Sequence, residues 1–222
     1  MNDKVIVFDM DGVLIDSEPA YMEMNKKLFG ELGIKMNEAN YHELVGMSSF
    51  NMWTMLKEDF NLSREVNELV KLEKNRMYEI LNSDIIAGPI KGITDLLESL
   101  KGKNFNISVA SSSPKENINL VVSKLKLDKY FDYIVSGEDV EKGKPAPDIF
   151  LNAAKQFNAA PEKCFVIEDS VNGMKAALNA GMKCIGFKNN DTNFQNLSKA
   201  DLLIQNFSKE SITQIIAFIE AN

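Results

Sequence analysis

An α/β fold, with a Rossmann-like parallel sheet covered by helices on both faces and an inserted all-helical domain, is predicted by three features of the 222-residue chain. The run Val5-Ile6-Val7-Phe8 is short and apolar throughout, as in a strand buried on both faces. From Gly88 onward, short apolar runs alternate with amphipathic helical segments, the pattern of strand–helix–strand units. Between these regions, residues 17–87 show helical spacing and no strand alternation. The first strand belongs with the later ones, so the helical block reads as an insertion. Residues 1–16 and 88–222 are then the α/β core, and 17–87 a helical cap domain. The crossings near Ile15-Asp16-Ser17 and Ala87-Gly88-Pro89 would act as its hinge.

Taken in order, Asp16-Ser17-Glu18-Pro19 is a helix start, with a polar cap and a proline in the first turn. Tyr21, Met24, Leu28 and Leu32 follow at helical spacing up to Gly33, a C-terminal stop. Leu44, Met52, Met55, Leu56 and Phe60, then Val66, Leu69, Val70, Leu72, Met77, Ile80 and Leu81, continue the helical rhythm as packing residues. After Gly88-Pro89 a helix through Ile93, Leu96, Leu97 and Leu100 precedes the run Ile107–Ala110. A helix from Pro114, the run Tyr133–Val135 and a helix from Pro147 come next. The runs Phe165–Ile167, Ile185–Phe187 and Leu202–Leu203–Ile204 then alternate with a helix over Val171–Ala180, and a last helix runs through Ile212, Ile215, Ile216 and Ile219.

Composition narrows the function classes. With 45% hydrophobic and 26% charged residues the chain is ordinary globular protein. A net charge of −7 argues against nucleic acid or an anionic membrane surface as the main partner, though a local cation can still serve an anionic substrate. No basic leader with a long apolar stretch opens the chain and no run is long enough to span a bilayer, so a cytoplasmic location is expected. Cys164 and Cys184 read as reduced, buried small hydrophobes. His42 is the one histidine and lies in a helical segment without a motif, so proton transfer falls to carboxylates, Lys or Tyr.

The chemistry gathers at strand ends. Asp9 and Asp11, in Phe8-Asp9-Met10-Asp11-Gly12-Val13, stand at the tip of the first strand, where ligands bind in open α/β sheets. Two carboxylates so close are costly to desolvate, which suits a nucleophile, a metal ligand or a proton carrier; a turn using Asp and Gly for backbone preference is the plainer reading. In Val109-Ala110-Ser111-Ser112-Ser113-Pro114 a strand ends in hydroxyls. Ser113-Pro114-Lys115-Glu116 reads as a capping box, which accounts for Ser113 but not for Ser111 at the strand end; a hydroxyl and free backbone N–H groups at a helix start suit an anionic oxygen. Lys144, in Gly143-Lys144-Pro145-Ala146-Pro147, is framed by prolines that stiffen its attachment. Glu168 and Asp169 end Phe165-Val166-Ile167 as Asp9 ends the first strand. Four converging carboxylates require a hard cation, and oxygen-only ligation favours Mg²⁺.

These four motifs, in this order, resemble the haloacid dehalogenase superfamily of phosphotransferases, in the branch with a helical cap after the first strand. Within it the chain is similar to the β-phosphoglucomutase and phosphoglycolate-phosphatase-like members over nearly its whole length. The resemblance implies Asp9 as nucleophile and Asp11 as general acid/base, with Ser111, Ser112 and Lys144 on the phosphoryl group. It implies Mg²⁺ held by Asp9, Asp11 and Asp169, with Glu168 assisting. Asp11 selects a phosphate ester over a carbon–halogen bond, because a halide leaves without a proton. The loop Val45–Trp53 resembles the cap specificity loop; Gly46, Ser49 and Trp53 in it are candidates for substrate selection, as are Tyr21 and Lys74, though Trp53 also fits core packing. Sugar phosphomutases of this branch carry basic residues in that loop and a histidine in the first cap helix, where this chain has Val45, Ser49 and Tyr21. Lys74-Asn75 does resemble their basic cap pair. A monomeric phosphomonoesterase acting on a small sugar- or polyol-like phosphate is expected, with a phosphomutase as the alternative.

Overall fold

The computed structural model describes residues 3–36, 41, 44, 49–83, 88–188 and 196–222. In chain order the elements are β1 (Val5–Phe8), α1 (Glu18–Glu31), α2 (Ser49–Asp59), α3 (Val66–Asn82), α4 (Ile93–Gly102), β2 (Asn106–Ser111), α5 (Lys115–Lys124), β3 (Tyr133–Ser136), α6 (Asp148–Gln156), β4 (Cys164–Glu168), α7 (Val171–Asn179), β5 (Lys183–Phe187), β6 (Leu202–Ile204) and α8 (Lys209–Ala221). The chain divides into two compact units, residues 1–17 with 87–222 and residues 18–86.

The first unit is built on a six-stranded sheet in the order β3-β2-β1-β4-β5-β6, with every neighbouring pair parallel. This is the Rossmann-like architecture the alternation of apolar runs and helices predicts. Every residue of β1 is fully buried, because helices cover both faces of its sheet. Val5 and Val7 pack with Ile149, Phe150 and Ala153 of α6 and Met174, Ala176 and Ala177 of α7. The alternate set points the other way, as the two-residue period of a strand requires. Phe165, between Cys164 and Val166, accordingly meets Phe218 of α8 edge to face at 6.0 Å. Both cysteines are buried and unpaired with each other, as expected. The backbone amide of Ile90 donates to the carbonyl of Leu14 at 2.9 Å, which ties together the two segments flanking the helical block.

Among the described residues, every regular element of the second unit is a helix. Helix α1 stops at Gly33, whose φ of 73° is open to glycine at no steric cost. Met24, Leu28, Phe29, Met52, Trp53, Leu56, Leu69, Met77 and Leu81 form its interior, and Phe29 meets Trp53 edge to face at 5.7 Å. Phe60 differs from its expected packing role: it lies past the last turn of α2 and is exposed. The buried stripe of α3 runs Leu69, Glu73, Met77, Leu81, so a carboxylate occupies one place in an apolar row. Trp53 Nε1 donates to Glu73 Oε2 at 2.8 Å, and Ser49 also bonds to that carboxylate. Among the described residues no helix is long and apolar enough to cross a membrane.

Candidate active site

Strand order reverses beside β1: β2 and β3 lie to one side of it, β4 to β6 to the other. At such a switch point the loops leaving neighbouring strands diverge and open a crevice at their carboxyl ends. Register puts Phe8 level with Val109 and Ile167, and the Asp9 amide extends the ladder to the Ile167 carbonyl at 3.0 Å. Asp9 therefore leaves β1 beside the ends of β2 and β4, where Ser111 and Glu168 lie.

Lys144 gathers these groups. Its Nζ donates to Asp9 Oδ1 at 2.6 Å, to Glu168 Oε1 at 2.8 Å and, at 3.4 Å, to the carbonyl of Ala110. The lysine side chain is only 7% exposed and its ammonium lies 4.9 Å from the Phe150 ring centroid, a cation–π contact from beneath. Burial alone would lower the ammonium's pKa, but Asp9 and Glu168 outweigh burial and raise it, so Lys144 is a fixed positive charge. Phe150, buried in α6, carries no polar signal and reads from sequence as ordinary helix core.

Glu168 is held by protein donors on both oxygens. Its Oε1 is taken by Lys144, and its Oε2 accepts from the amide (2.7 Å) and hydroxyl (2.9 Å) of Ser170. Ser170 in turn caps α7 by accepting from the Gly173 amide at 3.0 Å. A Cβ at residue 173 would overlap the Glu168 carboxylate, so glycine there lets the acid lie against the helix start. The four carboxylates do lie close enough to act on one another: Glu168 and Asp11 raise Asp9, and Glu168, Asp9 and Asp11 raise Asp169. Among the described residues no three His, Cys, Asp or Glu side chains form a metal-holding group.

Asp11 turns to the hydroxyls after β2. Its Oδ2 accepts from Ser113 Oγ at 2.9 Å and from Ser111 Oγ at 3.4 Å. Ser111 Oγ also accepts from the Ser113 amide at 3.1 Å. Ser113 corrects the capping-box expectation. Helix α5 begins at Lys115 with Pro114 as its N-cap and no side-chain cap bond, and the Ser113 hydroxyl goes to Asp11 instead. Ser112 is exposed and its hydroxyl lies outside this network; Gly137 packs so tightly on its carbonyl that a Cβ would come to 2.8 Å of the oxygen.

Asp169 is buried, and among the described residues no group donates a hydrogen bond to its carboxylate. Burial raises its pKa well above the ordinary carboxylate value, and the charges of Glu168 and Asp9 add to the rise. Burial likewise pushes the Asp9 carboxyl up to about 7, with Lys144 opposing the rise and Glu168 and Asp11 adding to it. Gly12, at φ 76°, presents its bare α-carbon to Asp169, and any Cβ there would overlap the carboxylate. The first loop and the end of β4 are thus fitted together through the absence of one methyl group.

The expected selectivity residues fall in the helical unit or outside the described residues. Trp53 is fully buried and bonded to Glu73, so it is core rather than pocket lining. Tyr21 lies on α1, Ser49 opens α2 and Lys74 is exposed on α3. His42, Val45 and Gly46 lie outside the described residues.

The fold and these strand-end groups can be set beside known proteins. A family model described as haloacid dehalogenase-like hydrolase matches residues 6–187. The phosphorylated carbohydrates phosphatase of Thermotoga maritima is 32% identical over 186 residues, 82% of this chain and 83% of that protein. The β-phosphoglucomutase of Bacillus subtilis is 32% identical over 189 residues, 82% of each chain. Among solved structures, β-phosphoglucomutase from Clostridium difficile superposes with a TM-score of 0.79 at 27% identity, over 99% of both chains. With the match running from the first strand to the fifth, and with relatives that are phosphatases and phosphomutases, the chain belongs to the haloacid dehalogenase-like hydrolases.

Proposed function

We propose that this chain is a cytoplasmic, monomeric Mg²⁺-dependent phosphomonoesterase that hydrolyses a small sugar- or polyol-like phosphate through an aspartyl-phosphate on Asp9. The observation that carries the proposal is the Lys144 cluster. It fixes Asp9 through one oxygen, Oδ1, while among the described residues no protein group donates to Oδ2. A carboxylate so held can attack phosphorus in line, splitting one hard displacement into two easier ones. Asp9 Oδ2 bonds to phosphorus as the ester oxygen leaves, taking the proton of Asp11. Asp11 then removes a proton from water, whose oxygen attacks the aspartyl-phosphate and releases inorganic phosphate and the Asp9 carboxylate. Ser111 and the Lys144 ammonium are the donors for the phosphoryl oxygens, and Glu168, held by Ser170, keeps the lysine aimed.

Enzymes of this family generally use a divalent metal, and the donor set fits one. Asp169 is a buried carboxylate without a protein donor among the described residues, next to the raised carboxyl of Asp9. Two carboxylates and the Asp11 carbonyl would hold Mg²⁺, which keeps several of its waters and needs no third side chain. When bound, the ion neutralises charge on the phosphoryl oxygens and keeps both acids ionised.

Hydrolysis is favoured over mutase chemistry by the segment Val45–Trp53, which contains no Arg or Lys to grip a second phosphate. The test supplies β-glucose 1-phosphate, catalytic hexose bisphosphate and Mg²⁺, and follows glucose 6-phosphate and inorganic phosphate together, beside a panel of sugar and polyol phosphates. Phosphate release with little isomerised product is expected. Glucose 6-phosphate accumulating without phosphate release would overturn the phosphatase reading and make Lys74 the first candidate for the missing cation.

A further inference from the structure

The hydroxyl of Ser113 stands where a helix-capping serine belongs, yet it caps nothing. Helix α5 starts two residues later behind Pro114, without any side-chain cap bond. The hydroxyl donates instead to Asp11 Oδ2 at 2.9 Å, shorter than the 3.4 Å from Ser111. The serine is pinned on both sides. Its amide is bound to Ser111 Oγ at 3.1 Å, and its carbonyl accepts from Ser136 Oγ at 2.8 Å. Ser136 is fully buried at the end of β3, with its own amide held by Asp139 Oδ2 at 2.9 Å. Ser113 itself is 7% exposed. With its backbone held at both amide and carbonyl, Ser113 presents its hydroxyl to Asp11 from a fixed base.

The chemistry of the partner matters as much as its place. A group that gives up and regains a proton in each turnover is an acceptor in one state and a donor in the other. A backbone N–H or an ammonium can only donate, so it cannot accept from the O–H of the protonated form. A hydroxyl suits both, because its hydrogen rotates while the oxygen stays still. Ser111 cannot fill this place once its oxygen serves a phosphoryl group. From this geometry we infer that Ser113 is the positioning residue of Asp11, holding its carboxyl in register with the leaving-group oxygen. The inference rests on the reading of Asp11 as general acid/base.

The test is the dependence of kcat/KM on leaving-group pKa, over a series running from acidic aryl phosphates to alkyl phosphates. It compares the wild type, Ser113→Ala and Asp11→Asn, each with Mg²⁺. A well-placed general acid contributes on the order of 10²–10⁴-fold, and most of that is lost when it is misaligned. Ser113→Ala should therefore lose roughly ten- to a hundredfold on alkyl esters and under about threefold on acidic aryl esters, giving a steeper line than wild type. Asp11→Asn should be steeper still. Ser113→Cys fills the same space with a weak donor and should steepen the line as the alanine does, which keeps the test intact if the alanine variant fails to fold. A uniform loss across the series for the Ser113 variants, with Asp11→Asn steep, would overturn the role of Ser113 alone. An unsteepened line for Asp11→Asn would overturn the reading of Asp11 on which it rests.

Discussion

Replacing Lys144 by methionine removes the one positive charge that, among the described residues, is bonded to Asp9 and Glu168, while keeping most of the volume over Phe150. Breaking a buried ion pair from one side costs about 3–5 kcal/mol, because the partner's charge stays desolvated. Proton uptake limits that cost and makes it depend on pH. Asp9 already has a folded-state pKa of about 7 with Lys144 lowering it; without the lysine it must lie higher. A carboxyl raised above its unfolded value adds stability that is complete at low pH and is lost as pH rises through the folded value. In the metal-free wild type that loss levels off past pH 7. In Lys144→Met it continues, so the gap between the two proteins should widen by up to about 1.4 kcal/mol per pH unit above 7. Urea denaturation in chelator at pH 6, 7, 8 and 8.5 measures it. A gap that stays constant from pH 6 to 8.5, or one below about 1 kcal/mol throughout, would refute the assignment of Lys144 as the partner that keeps Asp9 ionised.

Asp9→Asn should keep the fold and lose several orders of magnitude in turnover, with no acid-stable phosphoryl adduct at residue 9 by mass spectrometry; near-wild-type rates would end the covalent route. Asp169→Ala should raise the Mg²⁺ needed for half-maximal rate or abolish activity, and exhaustive chelation should stop the wild type; full activity in chelator would remove the metal from the mechanism. Gly12→Ala combines a left-handed backbone, worth about 1–2 kcal/mol of strain, with overlap against Asp169, so it should weaken Mg²⁺ binding by calorimetry more than it lowers the melting temperature. Burial raises the Glu73 carboxyl above 4.5, against the bonds from Trp53 and Ser49, so wild-type stability should fall as pH rises through that raised value. Glu73→Gln should remove this slope, and emission of Trp53, the chain's one tryptophan, should report the change; parallel stability curves for the two proteins would refute it.

Much of the first unit was legible because burial on both faces leaves an unbroken apolar run, as in β1 and Phe165–Ile167 of β4. The charged residues that end such runs stand out, so Asp9, Asp11, Glu168 and Asp169 could be named. What they do once folded was less legible. Nothing in Glu168-Asp169 announces that Ser170 and Lys144 will bond both Glu168 oxygens. Ser113-Pro114-Lys115-Glu116 follows the local grammar of helix starts, and nothing nearby in sequence announces that the hydroxyl goes to Asp11. Glu73 fails in the same way: a glutamate inside a helical stripe reads as surface until Trp53 is found bonded to it.

The glycines carry the information that local patterns lose. Gly12 reads as punctuation after a strand, and a turn alone would justify it. The structure adds a second demand from far along the chain, since Asp169 occupies the place a Cβ would need. Gly173 sits in the first turn of a helix, where glycine is unfavourable by propensity, and there Glu168 occupies that place. In both cases a carboxylate at the end of β4 is fitted against bare backbone. The two glycines therefore belong to the chemistry of Asp169 and Glu168 as much as the serines and lysine do. A substitution at either should disturb the acids before it disturbs the fold.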